Sequence, residues 1–253
     1  MLCKKEAKYL KNILFVERLK LKRSKLWIIY LLGPLLGVSL AYTNFIKNYN
    51  LFMNPGDNPW VEAWTQVALF MGPFVLPIVV GIFAALVCRG EHAGGGWKQL
   101  LALPVKHSDI FLGKFLTVVR MIFISMSILI LLFIGFGYML GISGSLPLLT
   151  ILGYGIRGIL ACLPLILLQL IVSIRSKTFG IPLAVSIVFT LPAIIIASTP
   201  LGQVYPWTQP MLAMSPEDES PIQSNFLFYP IMVITCLGLL VYGIRSFTKR
   251  DLT

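Results

Sequence analysis

Residues 88–114 read C-R-G-E-H-A-G-G-G-W-K-Q-L-L-A-L-P-V-K-H-S-D-I-F-L-G-K, a polar interruption between two long hydrophobic runs. Gly94-Gly95-Gly96 breaks any helix arriving from the first run, because glycine weakens a helix and frees the backbone. Trp97, Leu100 and Leu101 then fall at i, i+3 and i+4, one face of a short helix, with Lys98 and Gln99 on the other. Pro104 ends that helix. Ser108-Asp109 offers an N-cap and an acidic first turn to the next one. The stretch therefore predicts a hinge and a short amphipathic helix joining two membrane segments. Such a unit suits docking on a partner, and it equally suits a helix lying on the lipid surface.

The rest of the chain agrees with a membrane setting. Of its 253 residues 57% are hydrophobic and 12% charged, and the mean hydropathy of +0.84 is far too high for a soluble domain. Apolar runs of about 20 residues recur, the length that crosses a bilayer. The net charge is +11, and its distribution argues against nucleic acid. Nine Lys/Arg precede Leu26; Arg89, Lys98, Lys106 and Lys114 lie in or beside the quoted stretch; Arg175, Lys177, Arg245, Lys249 and Arg250 follow. The alternate loops hold only Lys47, which is the positive-inside pattern and puts both termini in the cytoplasm. Cys3, Cys88, Cys162 and Cys236 are scattered and show neither disulfide nor metal-ligand spacing.

We expect one all-α membrane domain over residues 1–253. Residues 4–25 form a basic in-plane helix, with Glu17 and Lys20 intruding on its apolar side, which suits contact with protein. Six spans follow, at about 26–43, 66–88, 110–140, 148–172, 180–198 and 226–244. Pro73, Pro77 and Gly81 recur along one face of the second, so that face should be buried against protein. Two sizeable external loops are expected, at 44–65 and 199–225.

Several kinds of chemistry are excluded. Gly141-Ile142-Ser143-Gly144 resembles the short nucleophile pattern of rhomboid-like proteases, but both histidines, His92 and His107, lie before it on the other side of the membrane. No H-E-x-x-H occurs. No phosphate-binding G-x-x-x-x-G-K-[ST] occurs, so ATP hydrolysis would fall to another polypeptide. The predicted spans carry no carboxylate, against a carrier that does its own ion coupling. Arg157 lies nine residues into its span; at the bilayer centre such a charge costs about 2.5–3.5 kcal/mol. Either it snorkels outward from a glycine-rich, irregular helix start, or it lines a polar cavity.

This layout resembles the exporter-type ABC permeases, in which the in-plane helix is the elbow helix and the loop after span two docks on a separate ATPase. The likeness reaches local sequence. Residues 17–27 (E-R-L-K-L-K-R-S-K-L-W) look like the elbow-to-span junction of the lantibiotic self-protection permeases. Glu91-His92 with residues 96–105 (G-W-K-Q-L-L-A-L-P-V) looks like their coupling loop, and Tyr205-Pro206-Trp207-Thr208-Gln209-Pro210 like their last external loop. The resemblance implies ATPase contact by Trp97, Leu100 and Leu101, with Glu91, Gly94, Gly95 and Gly96 shaping the hinge, Pro104 closing the coupling helix, and Glu17, Lys20 and Arg23 on the elbow. It implies a dimeric ATPase that carries ATP and Mg, a second permease that is related or identical, no cofactor on this chain, and a cationic antimicrobial peptide as substrate. Bacitracin-resistance and sodium-export permeases share the layout.

The outer loops hold Asp57, Glu62, Glu217, Asp218 and Glu219. They are also expected to expose Trp60, Trp64, Trp207 and Tyr205. A negative, aromatic surface suits a cationic peptide. The positive-inside rule by itself also leaves outer loops poor in Lys and Arg. A membrane sensor or scaffold without transport is the alternative of another class.

Overall fold

The computed structural model describes residues 2–22, 25–92, 95–102, 104–217, 222 and 225–248. It is helical, with no strand among the described residues. Helix α1 covers Leu2–Leu21 and α2 Leu26–Lys47. A single turn, α3, covers Tyr49–Phe52. Helix α4 (Pro59–Phe70), a π turn (Met71–Val75) and α5 (Leu76–His92) form one continuous rod. Next come α6 (Gly96–Leu101), α7 (His107–Met139) and α8 (Leu148–Arg175). Helices α9 (Gly180–Thr190) and α10 (Ala193–Ala197), a 3-10 turn (Pro200–Gln203), α11 (Gln209–Met214) and α12 (Asn225–Thr248) complete the chain.

Five helices are long and apolar enough to cross a membrane: Leu26–Lys47, Pro59–His92, His107–Met139, Leu148–Arg175 and Phe226–Thr248. The span predicted over 180–198 is a broken helix. Pro192, which has no N–H to give, separates the 11-residue α9 from α10.

Three boundaries differ from expectation. The loop predicted over 44–65 shrinks, because α2 runs to Lys47 and α4 already starts at Pro59. Its start signal is local: the Asn58 side chain accepts from the Trp60 N–H at 3.0 Å, and Pro59 fills the first helical position. Helix α7 begins at His107, before the predicted Ser108 cap; Lys106 is the capping residue and makes no side-chain cap. The loop predicted over 199–225 folds back as the 3-10 turn and α11, which packs on α8 and the π turn.

The helices define two ends of a bundle. At one end lie α1, the α5–α7 junction and the last turns of α8 and α12. Arg175 ties two of these together, donating to the Tyr242 hydroxyl and Ser246 Oγ at 2.8 and 2.7 Å. The far end holds the α3–α4 turn, the α7–α8 turn and residues 199–217, where Asn58 Nδ2 donates to the Ser145 carbonyl at 3.0 Å. Between them, the Tyr42 hydroxyl of α2 donates to the Phe133 carbonyl of α7 at 2.7 Å. Pro73, Pro77 and Gly81 are buried, as their spacing predicts, with Gly81 against Pro182 and Ser186 of α9.

At the far end the aromatics differ from expectation. Trp60, Trp64 and Trp207 lie inside the fold, at 1%, 0% and 4% exposure. Trp64 Nε1 donates to the Met214 carbonyl at 2.9 Å, and Trp207 stacks on Phe189 with ring centroids 5.0 Å apart. Their large apolar rings close this end of the bundle instead of coating it.

Candidate functional site: the ion-paired hinge of the α5–α7 junction

Helix α1 presents Glu17 and Lys20, three residues apart and therefore on one side. They meet Glu91 from the last turn of α5 and Lys114 from the second turn of α7. Lys20 Nζ lies 3.1 Å from Glu17 Oε1 and 2.6 Å from Glu91 Oε1. Lys114 Nζ lies 3.3 Å from Glu17 Oε1 and 3.0 Å from Glu91 Oε1, and it donates to the Val87 carbonyl at 2.9 Å. Lys114 is fully buried and both carboxylates nearly so, while Lys20 gives the group a wet edge. Two carboxylates and two ammonium groups sum to zero charge. The neutral sum is what makes burial tolerable, since an isolated ion here would keep its full desolvation penalty.

Helix α6 hangs directly from this quartet. Gly95, at φ +75°, turns the chain in a conformation that side chains resist. Gly96 packs on the end of α5: a Cβ there would stand 2.8 Å from the Glu91 Cα. Trp97 follows and is buried. Its Nε1 donates to His92 Nδ1 at 3.1 Å, and His92 Nε2 lies 2.8 Å from the Ser173 carbonyl of α8. A single tautomer, with the proton on Nε2, serves both bonds. The Trp97 ring meets Phe247 of α12 edge-on at 5.7 Å, and Lys114 Nζ sits 5.4 Å from the indole centroid. One indole thus touches α5, α7 and α12, and reaches α8 through His92.

The apolar face of α6 points inward. Leu100 and Leu101 are half-buried on the cluster that includes Phe111, Ile174 and Phe247. A six-residue helix with three apolar residues gains most by covering the aromatic floor at this end of the bundle. Gly95, Lys98, Gln99, Ala102 and Pro104 form the exposed outer side. Among the other sequence candidates, Arg157 reaches the far-end surface. Its Nη1 lies 3.5 Å from Glu217 Oε1, and its guanidinium stacks 5.0 Å from the Tyr154 ring. Glu217 is exposed and Trp207 buried. Arg23, Gly94, Asp218 and Glu219 lie outside the described residues.

The sequence presents Lys114 as a loop charge, and His92 as part of the coupling-loop likeness and as a histidine on the wrong side of the membrane to serve Ser143. The overlooked signal for Lys114 was its setting, Ile110-Phe111-Leu112-Gly113-Lys114-Phe115-Leu116, a lone charge in an apolar run. Nothing comparable marked His92, whose partners come from α6 and α8.

A comparison with curated proteins gave no match. Residues 13–193, about seven-tenths of the chain, match the family described as ABC-2 family transporter protein. That stretch contains the whole quartet and α6. The chain belongs to this family: it is a transmembrane ABC permease, and a separate ATPase subunit supplies its ATP hydrolysis.

Proposed function

We propose that the chain is a permease subunit of an ABC exporter, with α1 as its elbow helix and α6 as its coupling helix. The observation that carries this reading is the quartet of Glu17, Lys20, Glu91 and Lys114. It ties α1 to α5 and α7 directly above α6. A displacement of α6 by a dimeric ATPase would reach α5 through Gly95 and Gly96, and α7 and α12 through Trp97. The quartet would make the elbow follow. The ATPase would touch the exposed side, Lys98, Gln99 and Ala102, while Trp97, Leu100 and Leu101 anchor the helix to its own bundle. ATP and Mg would belong to that partner.

In this reading the chain crosses the membrane six times, in a bacterial cytoplasmic membrane, with the basic end and both termini in the cytoplasm. The sixth crossing is the α9–α10 pair. From 180 to 197 it extends about 27 Å, close to the roughly 30 Å hydrocarbon core. Helix α12 buries little of its surface, which leaves apolar area for lipid and for a second permease, related or identical. The substrate class is a lantibiotic-type cationic peptide removed from the membrane. The supporting points are the local likeness at 17–27, 91–105 and 205–210 and the acidic groups of the far end. With the tryptophans inside, contact with the peptide would fall on Glu217, which is exposed.

Docking is tested with Lys98→Glu/Gln99→Glu, which alters only the exposed side of α6. The variant should insert at normal yield and lose the ATPase on copurification; an ATPase that stays bound removes α6 as the docking element. For substrate, the complex is expressed in a sensitive bacterium challenged with a lantibiotic, bacitracin or added sodium. Protection against the lantibiotic is expected. Protection confined to bacitracin or sodium overturns the substrate and keeps the exporter. An assembled complex that protects against none points to a sensor.

A further inference from the structure

A groove of about 570 Å³ runs between α1, the start of α2 and α7, within the roughly 300–1,000 Å³ typical of ligand clefts. Leu19, Leu26 and Leu116 give it an apolar floor, and Arg18, Lys22 and Arg120 stand on its walls. No carboxylate lines it among the described residues. The three cations are exposed, and among the described residues their side chains form no ion pair or hydrogen bond. The nearby carboxylates, Glu17 and Glu91, are already engaged by Lys20 and Lys114. An anion entering the groove would meet uncompensated positive charge above an apolar surface.

The height of the groove matters as much as its charge. Helix α7 extends about 50 Å, some 20 Å more than the hydrocarbon core. Its far end is locked inside the aromatic cluster, with Gly137 against Trp60 and Tyr42. With the excess length at the basic end, as the positive-inside pattern asks, Arg120 would lie about 20 Å along the helix, at the boundary of hydrocarbon and headgroups. Arg18 and Lys22, on the helix that lies across that boundary, face the same cleft.

We propose that this groove is a binding site for one anionic phospholipid, its phosphate held by Arg18, Lys22 and Arg120 and one acyl chain lying on Leu19, Leu26 and Leu116. A zwitterionic lipid offers the same chain, but its headgroup carries a cation that these three would repel. A bound lipid would splint α1 against α2 and α7 on the side opposite the ionic quartet, so that the elbow is held on both flanks. The site is separate from the export substrate proposed above, which is cationic.

The test uses the purified permease with its partner subunits in detergent, given phosphatidylglycerol or phosphatidylcholine and read by native mass spectrometry. One phosphatidylglycerol per chain should be retained, and no phosphatidylcholine. Arg18→Gln/Arg120→Gln should weaken retention tenfold or more. Lys11→Gln/Lys47→Gln removes the same charge from exposed positions outside the groove and should leave retention unchanged. Equal retention of the two lipids, or equal loss in the two double variants, would mean that lipid merely coats the basic surface, and the proposal would be wrong.

Discussion

The two ends of this bundle are closed by different physics. At the basic end four charged side chains from three helices interlock around Glu17 and Glu91, and a buried indole sits beneath them. At the far end the interior is closed by neutral aromatic packing and a few hydrogen bonds, Trp64 to the Met214 carbonyl among them, while the Arg157–Glu217 pair stays at the surface. Apolar packing is graded and tolerant of small shifts. A buried ion quartet is directional, and it fails abruptly when one member is lost. Under the proposed coupling, the end with the interlocked charges would transmit a displacement between helices, while the aromatic packing of the far end would hold its shape.

The largest expected effect comes from breaking the quartet. Lys114→Met leaves Glu17 and Glu91 buried with Lys20 alone, and should destabilise the protein by about 3–5 kcal/mol. Denaturant unfolding of the complex in micelles would read this. Glu91→Gln added to Lys114→Met should recover part of the loss, since it removes one stranded carboxylate. A near-neutral single variant would mean that the quartet is only a surface cluster.

Gly95→Ala sharpens the comparison at the hinge itself. Its positive φ makes a side chain cost about 1–2 kcal/mol, and the strained α6 should lower the ATP hydrolysis stimulated by substrate before it lowers expression. Unchanged stimulation would separate the hinge from coupling. At the far end, Arg157→Leu should shift stability by less than about 0.5 kcal/mol, because the pair it removes is exposed. Transport should persist. A complete loss of transport with normal insertion would move Arg157 from the surface into the transport path.

The local features could be read without a fold. The glycine run, the i, i+3, i+4 spacing of Trp97, Leu100 and Leu101, and Pro104 fall on the six-residue α6 and its flanks. The recurrence of Pro73, Pro77 and Gly81 marked a buried face, because proline in an apolar helix needs neighbours. The α4 start was also written locally, in Asn58-Pro59, but Glu62, Thr65 and Gln66 masked it with polarity that belongs to an interior. Asn44 Nδ2 donates to Gln66 Oε1 at 2.7 Å, a bond between helices that no window on either segment contains.

What the chain alone determines is thus its hydrophobic length scale, its charge asymmetry and the position of its break between His92 and Gly96, since each depends on neighbours in sequence. Tertiary structure decides which way α6 faces, where the tryptophans go and what becomes of the charges. Glu17 and Lys114 are 97 residues apart, and neither segment alone names the other as its partner. Only when α1 crosses α5 and α7 do their desolvation penalties fall on the same small volume, where opposite charges can offset them.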